Sequence, residues 1–265
     1  MANMLKHHED SLQILKEHFQ NDSDVIALIL GGSVAKGEER PDSDLDAMVI
    51  ITDQAYQKRK AGGKLSECIT GKCTYEGGYF DIKYFTKGYL EAAAERGSDP
   101  TRNSFIKAKV IFSSDSSIES LIKQIPVYPK DKKFERIKLF HSILRYANGY
   151  FYNGAKRNND QYMFDKCRYE VVYAGLRMLY AYNEIFFPCH LRLIEYAERL
   201  PNKPEGIVEL AKAVSEKRDT ESKDAFVEAV RNFTDWGVDP QFDLSVYVEN
   251  LEQTWQYSDD NPFEL

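Results

Sequence analysis

Sixteen residues from Gly31 to Asp46, GGSVAKGEERPDSDLD, gather the residue types that handle phosphate and hard cations. Gly31 and Gly32 follow a wholly apolar run, where two glycines permit a tight turn and let a phosphate approach the backbone. Ser33 then opens a short helix whose N–H groups and hydroxyl would cradle a triphosphate. Asp44 and Asp46 stand two apart at the start of a strand, so alternation points both carboxylates to one face while Leu45 and Ala47 take the other. Side by side, two bare carboxylates repel, and a cation supplies the compensating charge. Magnesium suits such ligands, because it takes one or two carboxylates together with phosphate oxygens and water.

A second ion, one that would bind the attacking oxygen, needs a third carboxylate. Asp81 is the best placed, alone in the apolar strand YFDIKYF, where an acid is costly unless it is used or paired. The alternative is a surface position on an edge strand. Glu76 competes with Asp81 but precedes Gly77-Gly78, which reads as a turn. Lys36 and Arg40 are placed to touch phosphate or to stand solvated. Ser43 reads as a phosphate contact or, more simply, as a turn or cap residue. Arg102 is expected either to reach a triphosphate or to brace its loop. For a general base, Glu170 lies in an apolar helical stretch that would raise its pKa, against the plainer reading of a pair with Lys166 one turn back.

These groups must be positioned by a small set of elements. Leu5, His8, Leu12, Leu15 and Phe19 fall at spacings of three and four, which predicts an amphipathic first helix. Val25 to Leu30 reads as a buried strand, and Asp44 to Ile51 as a second, with Thr52 and Asp53 capping the helix after it. Cys73–Tyr75 and Tyr79–Phe85 flank two glycines and read as a hairpin. A helix from Lys87 to Arg96 stopped by Gly97, a strand at Lys109 to Phe112 and a short helix at Ser117 to Gln124 follow. Beyond Pro126 and Pro129 only helical periodicity appears, from Phe134 to Tyr257, in roughly five helices. The fold class is α+β: residues 1–125 form a sheet-bearing domain and residues 126–265 a helical one.

The bulk numbers narrow the partners. With 265 residues, 43% hydrophobic and 29% charged, the chain has an ordinary globular composition. A net charge of −7 opposes a broad grip on nucleic acid. Neither a signal peptide nor a membrane span is apparent, which predicts a cytoplasmic protein. Cys68, Cys73, Cys167 and Cys189 are too scattered for a disulfide framework, and no histidines are spaced as a zinc site. The aromatic residues of the helical half, from Tyr146 to Phe187, would floor an acceptor pocket or simply fill the core.

Gly32-Ser33, Asp44-x-Asp46 and the later strand Asp81, in that order, resemble the signature of the DNA polymerase beta-like nucleotidyltransferase superfamily. The resemblance covers about 60 residues closely. Small size, acidic balance and the helical second half are similar to bacterial antibiotic (kanamycin or aminoglycoside-type) nucleotidyltransferases and their relatives. The resemblance implies a mixed sheet with the site on one face, closed over by a helical substrate-binding or lid domain. It implies two Mg2+ ions held by Asp44, Asp46 and Asp81, with Gly31, Gly32, Ser33, Lys36, Ser43 and Arg102 toward the nucleotide. The reaction would move an NMP, most simply AMP from ATP, to a hydroxyl of a small acceptor such as an aminoglycoside-like antibiotic. Two other readings compete: AMP transfer to a protein, as in antitoxin members, and a non-catalytic nucleotide sensor. A homodimer is a base-rate expectation.

Overall fold

The apolar run Val25–Leu30 forms strand β1, preceded by helix α1 at Lys6–Phe19 and followed by helix α2 at Gly32–Lys36. Strand β2 spans Leu45–Ile51, helix α3 Asp53–Ala61, strand β3 Ser66–Thr70 and strand β4 Tyr79–Phe85. Helices α4 (Lys87–Arg96) and α5 (Asp99–Ser104), strand β5 (Lys109–Ser113) and helix α6 (Ser117–Gln124) complete a first unit that ends at Val127. The computed structural model describes residues 4–256.

The five strands lie in the order β3-β4-β2-β1-β5. β1 is antiparallel to β2 and β5, β2 is parallel to β4, and β4 is antiparallel to β3. Both faces of the central strands are apolar, so they read as continuous hydrophobic runs. On one face Leu28, Leu30, Leu45, Val49, Phe80 and Ile82 pack with Leu15 and Phe19 of α1. On the other, Ala27, Ile29, Met48 and Ile50 pack with Leu90, Phe105, Ile118 and Ile122. This second face carries Asp46 and Asp81 before its apolar stretch begins, and there the strands leave it half open.

Two expectations need correction. β4 is not paired with Cys73–Tyr75, which lies in the loop before it; its hairpin partner is Ser66–Thr70. That segment alternates exposed and half-buried residues along the sheet edge, so it has no apolar run to mark it. The turn at Asp99–Ser104 is also helical, capped by the Ser98 side chain and carrying a proline in its first turn.

The described part of the second unit, Tyr128–Leu265, holds helices and connecting loops and no strand. Its helices are α7 (Lys133–Tyr146), α8 (Tyr152–Asn158), α9 (Gln161–Tyr182), α10 (Leu193–Ala197), α11 (Ile207–Lys217), α12 (Thr220–Arg231) and α13 (Asp243–Tyr247). Among the described residues seven α-helices stand where periodicity predicted roughly five helices, because α10 and α13 span five residues each and show no full period. Tyr257, the end of the predicted helical stretch, lies outside the described residues. Gly175 lets α9 approach α12, since a side chain there would meet the Phe226 ring at 2.6 Å.

Candidate active site

The site begins where β1 ends. Gly31 is extended, Gly32 sits at φ 64°, and α2 starts at once. A Cβ on Gly32 would lie 1.7 Å from Asp46 Oδ2, so only glycine lets the corner pass over that carboxylate. The Gly31 N–H donates to the Asp46 carbonyl at 2.9 Å, which ties the corner to the head of β2.

Parallel pairing of β2 with β4 puts Asp46 directly beside Asp81. Asp44, one residue before β2, is half-buried like the other two. One carboxylate oxygen from each of Asp44, Asp46 and Asp81 falls within 4.8 Å of the others. Among the described residues no other three acid, histidine or cysteine side chains come this close. Burial pushes the Asp46 carboxyl up to about 6, helped by the charges of Asp44 and Asp81 and opposed by Lys83 and Lys36.

Several neighbours that sequence reasoning did not single out hold these acids. Lys83 Nζ lies 2.7 Å from Asp81 Oδ2. Tyr79, on the same face of β4, hydrogen-bonds Asp44, and that bond raises the phenol's pKa. Tyr75 donates its hydroxyl to the Ser43 carbonyl at 2.5 Å, and His8 Nε2 lies 3.1 Å from the same oxygen. A carbonyl only accepts, so His8 carries its proton on Nε2. Its fully buried ring has a lowered pKa, chiefly because burial disfavours the charge. The signal for Lys83 and Tyr79 was present in the sequence, two positions either side of Asp81; the roles of His8 and Tyr75 depend on folding.

The remaining expected site residues divide. Ser33 stands half-buried in the first turn of α2, and Lys36 sits at that helix's end with Nζ 2.9 Å from Asn103 Oδ1. Arg40 is exposed and pairs with Asp42 at 3.0 Å. Glu76 is exposed in the turn before Gly77. Ser43 takes the simpler of its two readings, a turn residue: its buried hydroxyl accepts the Arg40 N–H at 2.9 Å and closes the turn before Asp44. Arg102 follows the second of its two readings, that of a brace. It is 3% exposed, and its guanidinium donates to the carbonyls of Gly97, Ile125, Val127, Ala94 and Glu95. Five N–H groups meet five carbonyls, which makes it a clamp on the last turn of α4, on Gly97 after it and on the chain beyond α6. Glu170 belongs to α9 of the second unit and lies 2.5 Å from Lys166, the plainer of the two readings of that residue.

Residues 13–76 match the family model described as Polymerase beta, Nucleotidyltransferase. The match takes in the glycine-serine corner, Asp44 and Asp46, and ends before Asp81. A crystal structure of a nucleotidyltransferase-like protein from Exiguobacterium sibiricum is similar over 96% of this chain and 81% of that one. With a TM-score of 0.50 and 9% identity, that likeness is one of fold. No curated protein sequence matches the chain. No helix among the described residues is long and apolar enough to cross a membrane. With its mixed sheet, its corner passing over Asp46 and its matching family model, the chain carries a nucleotidyltransferase domain of the polymerase beta-like superfamily.

Proposed function

We propose that this chain moves a nucleoside monophosphate, AMP first among the candidates, from an NTP to a hydroxyl of a small acceptor and releases pyrophosphate. The observation that carries the reading is the meeting of Asp44, Asp46 and Asp81 within 4.8 Å beside the Gly31-Gly32-Ser33 corner. All three donors are hard oxygens, Asp46 and Asp81 on adjacent strands and Asp44 just before the first of them, and this set fits Mg2+. When bound, Mg2+ neutralises charge on the triphosphate and on the attacking and departing oxygens.

The chain's own residues then have distinct tasks. Asp44 and Asp46 hold the cation on the nucleotide side, and Asp81 completes the set toward the acceptor. Gly31 and Gly32 let phosphate approach the backbone, and Ser33 and Lys36 border that corner. Tyr75 and His8 fix the Ser43 carbonyl and so set the position of Asp44. Glu170 is left out of the mechanism. Residues 1–125 supply the catalytic domain in this reading.

The test follows pyrophosphate with Mg2+ and each NTP in turn, across a panel of aminoglycosides, other polyols and proteins. Turnover with a hydroxylated small molecule, lost in Asp46→Asn, is the expected result. Transfer to protein alone would replace the small acceptor with a protein one. Nucleotide binding without turnover on any acceptor would overturn the enzymatic reading in favour of a sensor.

A further inference from the structure

The face of β4 that carries Asp81 also carries Lys83 two residues on. In register, Lys83 lies beside Met48 of β2 and Ser66 of β3, neither of which is charged. Its ammonium turns back to Asp81 Oδ2 at 2.7 Å. Half of the Lys83 side chain is exposed, as is a third of that of Asp81, and ion pairs so open to water contribute little to stability. Stability therefore does not account for a lysine bonded to an oxygen of the acid trio. Its charge also reaches Asp46.

Charge balance gives the lysine a task. Asp44, Asp46 and Asp81 bring three negative charges when ionised, and Lys83 brings one positive. Two negative charges are left over, which a single divalent ion balances. Lys36, hydrogen-bonded to the neutral Asn103, keeps its charge and also acts on Asp46, which reduces that remainder further. A second divalent ion at Asp81 would meet the ammonium at the same carboxylate, unless a polyanion brings further negative charge and draws the lysine away.

We propose that Lys83 is a built-in cation for the Asp81 half of the site, so that the acid trio takes up one divalent ion without nucleotide and admits a second only when a triphosphate arrives. This rests on the metal-binding reading above. Lys83 acts here through Asp81, as a positioning residue, and the triphosphate is what releases it.

Mn2+ alone is the probe, titrated into the full chain without nucleotide and followed by calorimetry and by loss of the free-ion electron paramagnetic resonance signal. The wild type binds one ion. Lys83→Met binds a second ion at least about tenfold tighter than the wild type does, and Lys83→Arg returns to one. Lys83 is exposed on the sheet's open face, and circular dichroism confirms the fold of each variant. Wild-type stoichiometry and affinity in Lys83→Met would overturn the role of Lys83 and leave the acid trio standing. No Mn2+ bound by any of the proteins would overturn the metal reading itself, a failure that Asp46→Asn turnover reports separately.

Discussion

Asp46 in the first unit and Asp243 in the second are both withdrawn from water, yet their surroundings are opposite. Asp243 is 1% exposed and is met by His141 Nδ1 at 3.0 Å and by Arg145 at 2.9 Å. Asp46 is met by two further carboxylates. The rest of the helical unit follows the first pattern: the buried Lys223 lies against Asp224 and Asn148, and the buried Arg168 against Asp165. Arg102 shows that the first unit uses the same device away from its open face. A buried charge met by opposite or neutral partners is architecture, whereas like charges turned toward one another await a ligand that the chain does not supply.

The strongest way to break this contrast is to neutralise one side of it. Asp46→Asn should lower turnover by at least about a thousandfold, because it removes a metal ligand at nearly constant volume. The metal-free variant should be no less heat-stable than the wild type above pH 6, since the change relieves a repulsion. A melting curve and a pyrophosphate assay on one preparation check both. Loss of stability together with activity would place Asp46 among the architectural charges.

The architectural charges should answer in reverse. Arg102→Met leaves five carbonyls without their donor and should cost about 4 kcal/mol of stability. What folds should keep its affinity for NTP, measured with a non-hydrolysable analogue. A selective loss of nucleotide affinity in a fully stable variant would restore Arg102 to the site. Asp243→Ala, measured by urea unfolding, should cost about 3 kcal/mol, at the lower end for a broken buried pair because Arg145 reaches water. Mn2+ binding by the acid trio should be unchanged.

The same contrast explains what could be read before folding. The glycine-serine corner, the Asp-x-Asp pair and Asp81 were legible because strand alternation and apolar flanks fix which way such residues face. The Lys166–Glu170 pair was legible as a spacing of four within one helix. Ser43 was legible as a turn residue, its partner Arg40 standing three residues back, whereas Arg102 stayed open between phosphate and its loop, because Ile125 and Val127 reach it only in the folded chain. β3 was missed because an edge strand half in water lacks the run that β-branched propensity detects, while Cys73-Thr74-Tyr75 imitates one. Lys83 was hidden in plain sequence: its spacing from Asp81 was visible, but whether its ammonium turned toward the acid or away depends on what stands beside it in the sheet.

The smallest expected effect tests the contrast by titration. The Asp46 carboxyl is raised from 3.8 to about 6 in the folded chain, so between those values the fold holds a proton that the unfolded chain has released. Stability from this group is therefore full at low pH and is lost as pH rises through that window. A divalent ion reverses the sign, because it binds the ionised carboxylate and replaces the missing positive charge. Mn2+ at ten times its dissociation constant should add about 1.4 kcal/mol at pH 7.5, and the gain should fade as pH falls through about 6. Asp46→Asn should flatten both profiles. An unchanged profile in that variant would mean that the titrating group lies elsewhere, and that the acids at the open end of the sheet share their charge differently from the way their burial dictates.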